Sequence, residues 1–115
     1  MLLLAEAEQA DDVGVFTPAA RLLAAIGWPG GLTLVLHQRP EANLPEALTG
    51  GAQTIGLRLP DHPAPRALAA AVGPLPTTSA NLAGQPAADT AAGILEQLGD
   101  AVAVILDGGP ARGAV

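Results

Sequence analysis

The sequence predicts an α/β fold, and three observations carry that reading. Short apolar runs such as "LTLVLH" and "TIGLRL" have strand length and are mostly uninterrupted, as in sheets covered on both faces. Segments with helix start and stop signals alternate with these runs. Uncharged polar residues gather in loops between them, above all in "LPTTSANLAGQP" (Leu75–Pro86).

Taken in order, Met1–Ala5 reads as a short edge or central strand. Thr17–Gly27 reads as a helix, with Thr17 as N-cap, Pro18 in the first turn and Gly27 as a left-handed stop. Leu22, Leu23 and Ile26 put apolar groups on one side of it, with Arg21 near the edge. "WPGG" (Trp28–Gly31) is a turn, Leu32–His37 a strand, and Pro45–Leu48 one helical turn in a turn-rich stretch. Thr54–Leu59 is the next strand, Pro60–Gly73 an alanine-rich helix, and Pro74–Thr78 a short strand or extended entry. Asp89–Gly99 is a helix capped by Asp89 and stopped by Gly99. Val102–Leu106 is a buried strand, and "DGGP" (Asp107–Pro110) a turn. The resulting order is β-α-β-β-α-β-α-β.

With 115 residues the chain has room for one core, so residues 1–115 are expected to form a single domain. Half of the residues are apolar, an excess that suggests either tight packing of small side chains or surface that another copy or another chain would cover. Every apolar run is broken well before the ~20 residues needed to span a bilayer. The start, "MLLLAEAEQADD", has no basic segment before its leucines and acids soon after them, which does not suit a signal peptide. A soluble, cytoplasmic protein without membrane contact is expected. The net charge of −6 and the absence of lysine argue against a basic nucleic-acid stripe, Schiff-base chemistry and P-loop phosphate binding. With no cysteine and only two distant histidines, no metal-ligand spacing is expected either.

Two features could carry chemistry. Thr77, Thr78, Ser79 and Asn81 form a loop cluster that could bind an anion or nucleotide through hydroxyl, amide and backbone donors, with Gly84 allowing close approach and Pro86 stiffening the exit. On the residues alone, hydrogen bonding within local turns is the slightly favoured reading. Arg58 lies in an apolar strand just before a turn, where its guanidinium suits a carboxylate or phosphate, or simply reaches solvent from an edge. For His62 a helix-start role is favoured over a proton donor, for Trp28 a packed corner over a stacking platform, and for Asp107–Gly109 a turn over a cation or ribose site. No paired carboxylates and no Ser-His-Asp arrangement point to a catalytic side chain.

"WPGGLTLVL", "TIGLRLPDHP", "TTSANLAGQPAADTA" and "LGDAVAVILDGGPARGAV" occur in an order and spacing that resemble the YrdC/Sua5/YciO family. The pairing of R-x-P-D-H-P at Arg58–Pro63 with S-A-N-x-x-G at Ser79–Gly84 is the specific part. The resemblance implies a twisted mixed sheet with flanking helices around a large open cavity. It also implies an L-threonylcarbamoyladenylate synthase, which joins L-threonine, bicarbonate and ATP into threonylcarbamoyl-AMP, releases pyrophosphate, and serves the t6A modification of tRNA. ATP would be a substrate and Mg2+ its companion. Partner proteins of tRNA modification would follow, as would RNA binding, although the acidic charge disfavours the latter.

Carried over by motif, Arg58 and Ser79 would hold threonine, and Thr54, Asn81 and Asp89 the nucleotide. Thr54 stands four residues before Arg58 on one strand. The family often has a hydroxyl where this chain has Asp89, and the neighbouring Thr90 could replace it in part. Such chemistry rests on positioning and electrostatics, without a protein nucleophile. The chain departs from the pattern in lacking the family's basic K-x-R segment and threonine-containing loop, in ending short of an S-T-V stretch, and in having W-P-G-G for W-P-G-P. A truncated domain is therefore expected, its activity alone in doubt; a non-catalytic nucleotide- or RNA-binding module, or an interaction remnant, is the alternative.

Overall fold

The computed structural model describes residues Met1–Arg112, and its backbone divides into two compact units, Met1–Thr77 and a second beginning at Thr78. The end of "GGPARGAV" beyond Arg112 lies outside the described residues.

The first unit is built on a four-stranded mixed sheet. Its strands are β1 (Leu2–Leu3), β2 (Leu34–His37), β3 (Thr54–Arg58) and β4 (Leu75–Pro76), in the order β2-β3-β1-β4. β3 is central, parallel to β1 and antiparallel to β2. Successive side chains in a strand point to opposite faces, so β2 buries Leu34 and Leu36 while β3 buries Ile55 and Leu57. These residues join Leu2, Leu4 and Leu59 in one core, together with Ala10 and Val13 of helix α1 (Gln9–Val13), Ala20 of helix α2 (Pro18–Gly27) and Trp28. The opposite face keeps Val35, His37, Thr54, Gly56 and Arg58.

The helix signals mostly hold. Thr17 Oγ1 accepts from the Ala20 N–H at 3.1 Å and Pro18 opens α2. Helix α3 (Glu46–Thr49) is a single turn, and α4 (Pro63–Val72) stops at Gly73, whose φ of +92° suits glycine. His62 takes the helix-start role, its Nδ1 accepting from the Ala64 N–H at 3.1 Å. Gly27 departs from expectation. It is the last helical residue and not a left-handed stop; the chain leaves α2 through extended Trp28. The apolar side of α2 also faces away from the core. The helix docks through Ala20 and Ala24, and Leu22, Leu23 and Ile26 stay exposed, Ile26 by 76%. The short helix α1 has no counterpart in the sequence reading; Gln9 Oε1 starts it by accepting from the Ala5 N–H at 2.7 Å.

In the second unit, helix α5 (Ala91–Leu98) is capped by Thr90, whose Oγ1 accepts from the Gly93 N–H at 3.2 Å. Asp89, the expected cap, stands one residue too early. Gly99 ends the helix with a φ of +41°. The expected strand Val102–Leu106 is not formed: this run has no ladder partner among the described residues and is largely exposed, Val104 by 73%. Asp107 closes an ordinary turn by accepting from the Gly109 N–H at 2.9 Å.

Candidate functional site

Arg58 is aimed by the alternation of β3. Leu57 and Leu59 are buried on the core side, which leaves the arginine to the open face. Its Nε donates to the Gly30 carbonyl at 2.9 Å, and the Gly30 N–H donates to the Leu59 carbonyl at 2.8 Å. That turn is fixed in turn by Trp28, which is buried, packs edge-on against Phe16 and donates Nε1–H to the Leu32 carbonyl at 2.8 Å. The peptide bond between Trp28 and Pro29 is cis. Trp28 is thus a packed corner that holds the arginine's anchor. Among the described residues the two Nη groups of Arg58 make no hydrogen bond, so the fork is held at one nitrogen and free at its tip. A guanidinium so placed can take a carboxylate with two parallel hydrogen bonds.

The other arginines of this unit are engaged differently. Arg39 Nε donates to the Asp11 carbonyl at 2.6 Å and Arg66 Nε to the Ala5 carbonyl at 3.0 Å. Arg21 pairs with the Asp11 carboxylate and lies 4.7 Å above the Phe16 ring. Its hydrogen bond holds the Asp11 carboxyl below the usual carboxylate range, against a smaller opposing effect of burial. The pair lines an open cavity of about 300 Å³ with Glu8, Phe16, Trp28 and Leu59, to which no residue of the expected site contributes.

Thr54 shares the open face with Arg58. At about 3.3 Å per residue, four residues separate the two by roughly 13 Å, too far for one small group to touch both. Thr54 lies directly opposite His37, and Gly56, between Thr54 and Arg58, lies opposite Val35.

The remaining expected residues belong to the second unit. Ser79 is exposed and its hydroxyl makes no hydrogen bond among the described residues. Asn81 behaves differently from a free amide that gives and accepts. Its Nδ2 donates to the carbonyls of Leu82 and Gln85, at 3.0 and 2.9 Å, and so closes its own loop. Its Oδ1 is buried and has no hydrogen-bond partner among the described residues. Gln97 of α5 clamps the same loop, accepting from the Leu82 N–H at 3.2 Å and donating to the Pro86 carbonyl at 3.0 Å. Asp89 is exposed, and its carbonyl accepts from the Ala111 N–H at 2.7 Å. Gln97 escaped the sequence reading, and the sequence places Gly30 only in the Trp28 corner, without its ties to Arg58 and Leu59. Both act through partners distant in the chain.

The structure therefore sets Thr54 and Arg58 on one strand face, and Ser79, Asn81 and Asp89 in and after one loop of the other unit. Such groups can orient a carboxylate and polar hydroxyls or amines; none is a built nucleophile.

A family model for Sua5_yciO_yrdC, described as "Telomere recombination", matches residues 1–115. The chain is 38% identical to the threonylcarbamoyl-AMP synthase of Bacillus subtilis over 93% of its own length and 31% of that protein. It is 44% identical to a putative threonylcarbamoyl-AMP synthase of Mycobacterium tuberculosis over 81% of its length and 42% of that protein. Among solved structures, Sua5 of P. abyssi complexed with L-threonine superposes with a TM-score of 0.88 at 33% identity, covering 96% of this chain and 33% of that one. The chain thus spans about a third to two fifths of the length of these relatives.

Proposed function

The chain belongs to the Sua5/YciO/YrdC family, and we propose that it carries substrate-holding elements of a threonylcarbamoyl-AMP synthase, the activity that joins L-threonine, bicarbonate and ATP. The observation that supports this most is Arg58, clamped at Nε by Gly30 and free at both Nη groups on an open sheet face. In this reading the Nη pair takes the threonine carboxylate, and Ser79 is assigned to threonine binding by its motif. Thr54, about 13 Å along the strand, contacts the nucleotide. Asn81 Oδ1 accepts from a nucleotide hydroxyl or amine and thereby satisfies a buried acceptor. Asp89 contributes near the same ligand, next to Thr90, whose hydroxyl is spent on the helix cap.

Among the described residues no three of His, Cys, Asp and Glu come together as metal ligands. A magnesium ion arriving with ATP would be held through phosphate oxygens and water, its usual arrangement in phosphate sites. Among the described residues no helix is long and apolar enough to cross a membrane. Catalysis would consist of alignment and charge stabilisation, since threonine supplies its own amine as nucleophile toward bicarbonate-derived carbon. Pyrophosphate release from ATP that requires both threonine and bicarbonate tests this reading. Release independent of threonine would contradict it.

A further inference from the structure

Gly56 occupies the middle of the central strand, where glycine weakens a sheet by adding flexibility and removing a packing side chain. Nothing local demands it. Its backbone has no positive φ, and a Cβ built there would meet Thr33 Cγ2 at 3.4 Å and Met1 Cβ at 3.7 Å, ordinary van der Waals contacts. The missing side chain would have pointed to the open face, between Thr54 and Arg58. Val35, 67% exposed and directly opposite, flanks the bare patch on the β2 side, and Met1 flanks it on the other. A mid-strand glycine accompanies a bulge, a tight bend, or the close approach of a ligand or another backbone; in-register pairing and the absence of a positive φ leave close approach here.

We infer that Gly56 is the floor of the ligand site. The junction between amino acid and nucleotide lies across it, with the amino-acid end at Arg58, the nucleotide end at Thr54 and Val35 as the flanking wall. This deepens the reading above and rests on it. The floor explains how two groups roughly 13 Å apart on one strand can serve a single extended ligand without a side chain interrupting it.

The test replaces Gly56 with alanine and with valine and measures two quantities. Thermal unfolding of Gly56→Ala should occur at or near the wild-type temperature, because its Cβ meets only van der Waals contacts, whereas the larger valine side chain must also fit beside Thr33 and Met1. Titration calorimetry with ATP in the presence of saturating L-threonine should show affinity falling in the order wild type, alanine, valine, with at least a tenfold loss for valine. Should valine prevent folding, the alanine variant decides alone through a measurable loss. Wild-type affinity in folded variants would overturn the floor while leaving the threonine and nucleotide contacts standing. Failure of the wild-type chain to bind either ligand would overturn those contacts and the floor together.

Discussion

Arg58 and Gly30 hold each other's chain segments: the arginine Nε donates to the glycine carbonyl at 2.9 Å, and the glycine N–H donates at 2.8 Å to the carbonyl of Leu59, the next residue after the arginine. The candidate site depends on this reciprocal tie. An arginine side chain has several rotatable bonds, and fixing Nε removes most of their freedom before any ligand arrives.

Gly30→Ala should break the tie. A Cβ at this position would stand 2.6 Å from the Gly27 carbonyl oxygen, backbone that cannot step aside without moving the turn. Denaturant unfolding should show a loss of about 1–3 kcal/mol. Threonine binding, followed in parallel, should weaken even under conditions where the variant is fully folded.

Gln97→Ala should loosen the Asn81 loop. The glutamine holds the Leu82 N–H and the Pro86 carbonyl from α5. Losing one such bond is worth about 0.5–1.5 kcal/mol. Amide exchange at Leu82 should therefore speed up by about two- to tenfold, while amides in β3 keep their protection.

Asp11→Asn reports on acid behaviour. Its hydrogen bond from Arg21 depresses the folded-state pKa below the ordinary 3.8. A depressed carboxylate contributes stability that is present above its unfolded pKa and lost as pH falls through the folded one. The wild type should thus exceed the asparagine variant slightly at neutral pH, and the gap should close below the usual carboxylate range. Both side chains are well exposed, at 58% and 42%, so the difference is small and should shrink further in added salt.

The first unit was largely legible because its signals are local. Thr17 before Pro18 starts α2 in the expected place, and the alternation around Leu57 and Leu59 fixes which way Arg58 points. The failures have nonlocal or short-range competing causes. Val102–Leu106 has strand composition, but a strand also needs a neighbour with free backbone groups, and composition does not supply one. Asp89 and Thr90 are both good caps, and their order alone does not reveal which one meets the Gly93 N–H. Leu22, Leu23 and Ile26 form the more apolar side of α2, yet the helix packs by its alanines. Gly56 carries no motif signal; its meaning comes from the register that sets it between Thr54 and Arg58 and opposite Val35. For the site, the motif match pointed to Arg58 and Asn81, while the division of Asn81 into a loop-closing amide and an orphaned oxygen required the hydrogen bonds themselves.

The central claim is that Arg58 receives the carboxylate of L-threonine, and titration calorimetry with L-threonine on the wild-type chain, Arg58→Ala and Arg58→Lys tests it most directly. The account predicts binding by the wild type, loss of about 2 kcal/mol or more in the alanine variant, equivalent to roughly thirtyfold or more, and only partial recovery with lysine, whose ammonium cannot reproduce the planar fork. The thermal stability of the alanine variant should fall only modestly, by the loss of its hydrogen bond to the Gly30 carbonyl, worth about 0.5–1.5 kcal/mol. Affinities are compared where the variant is fully folded. Equal threonine affinity in wild type and Arg58→Ala would contradict the account.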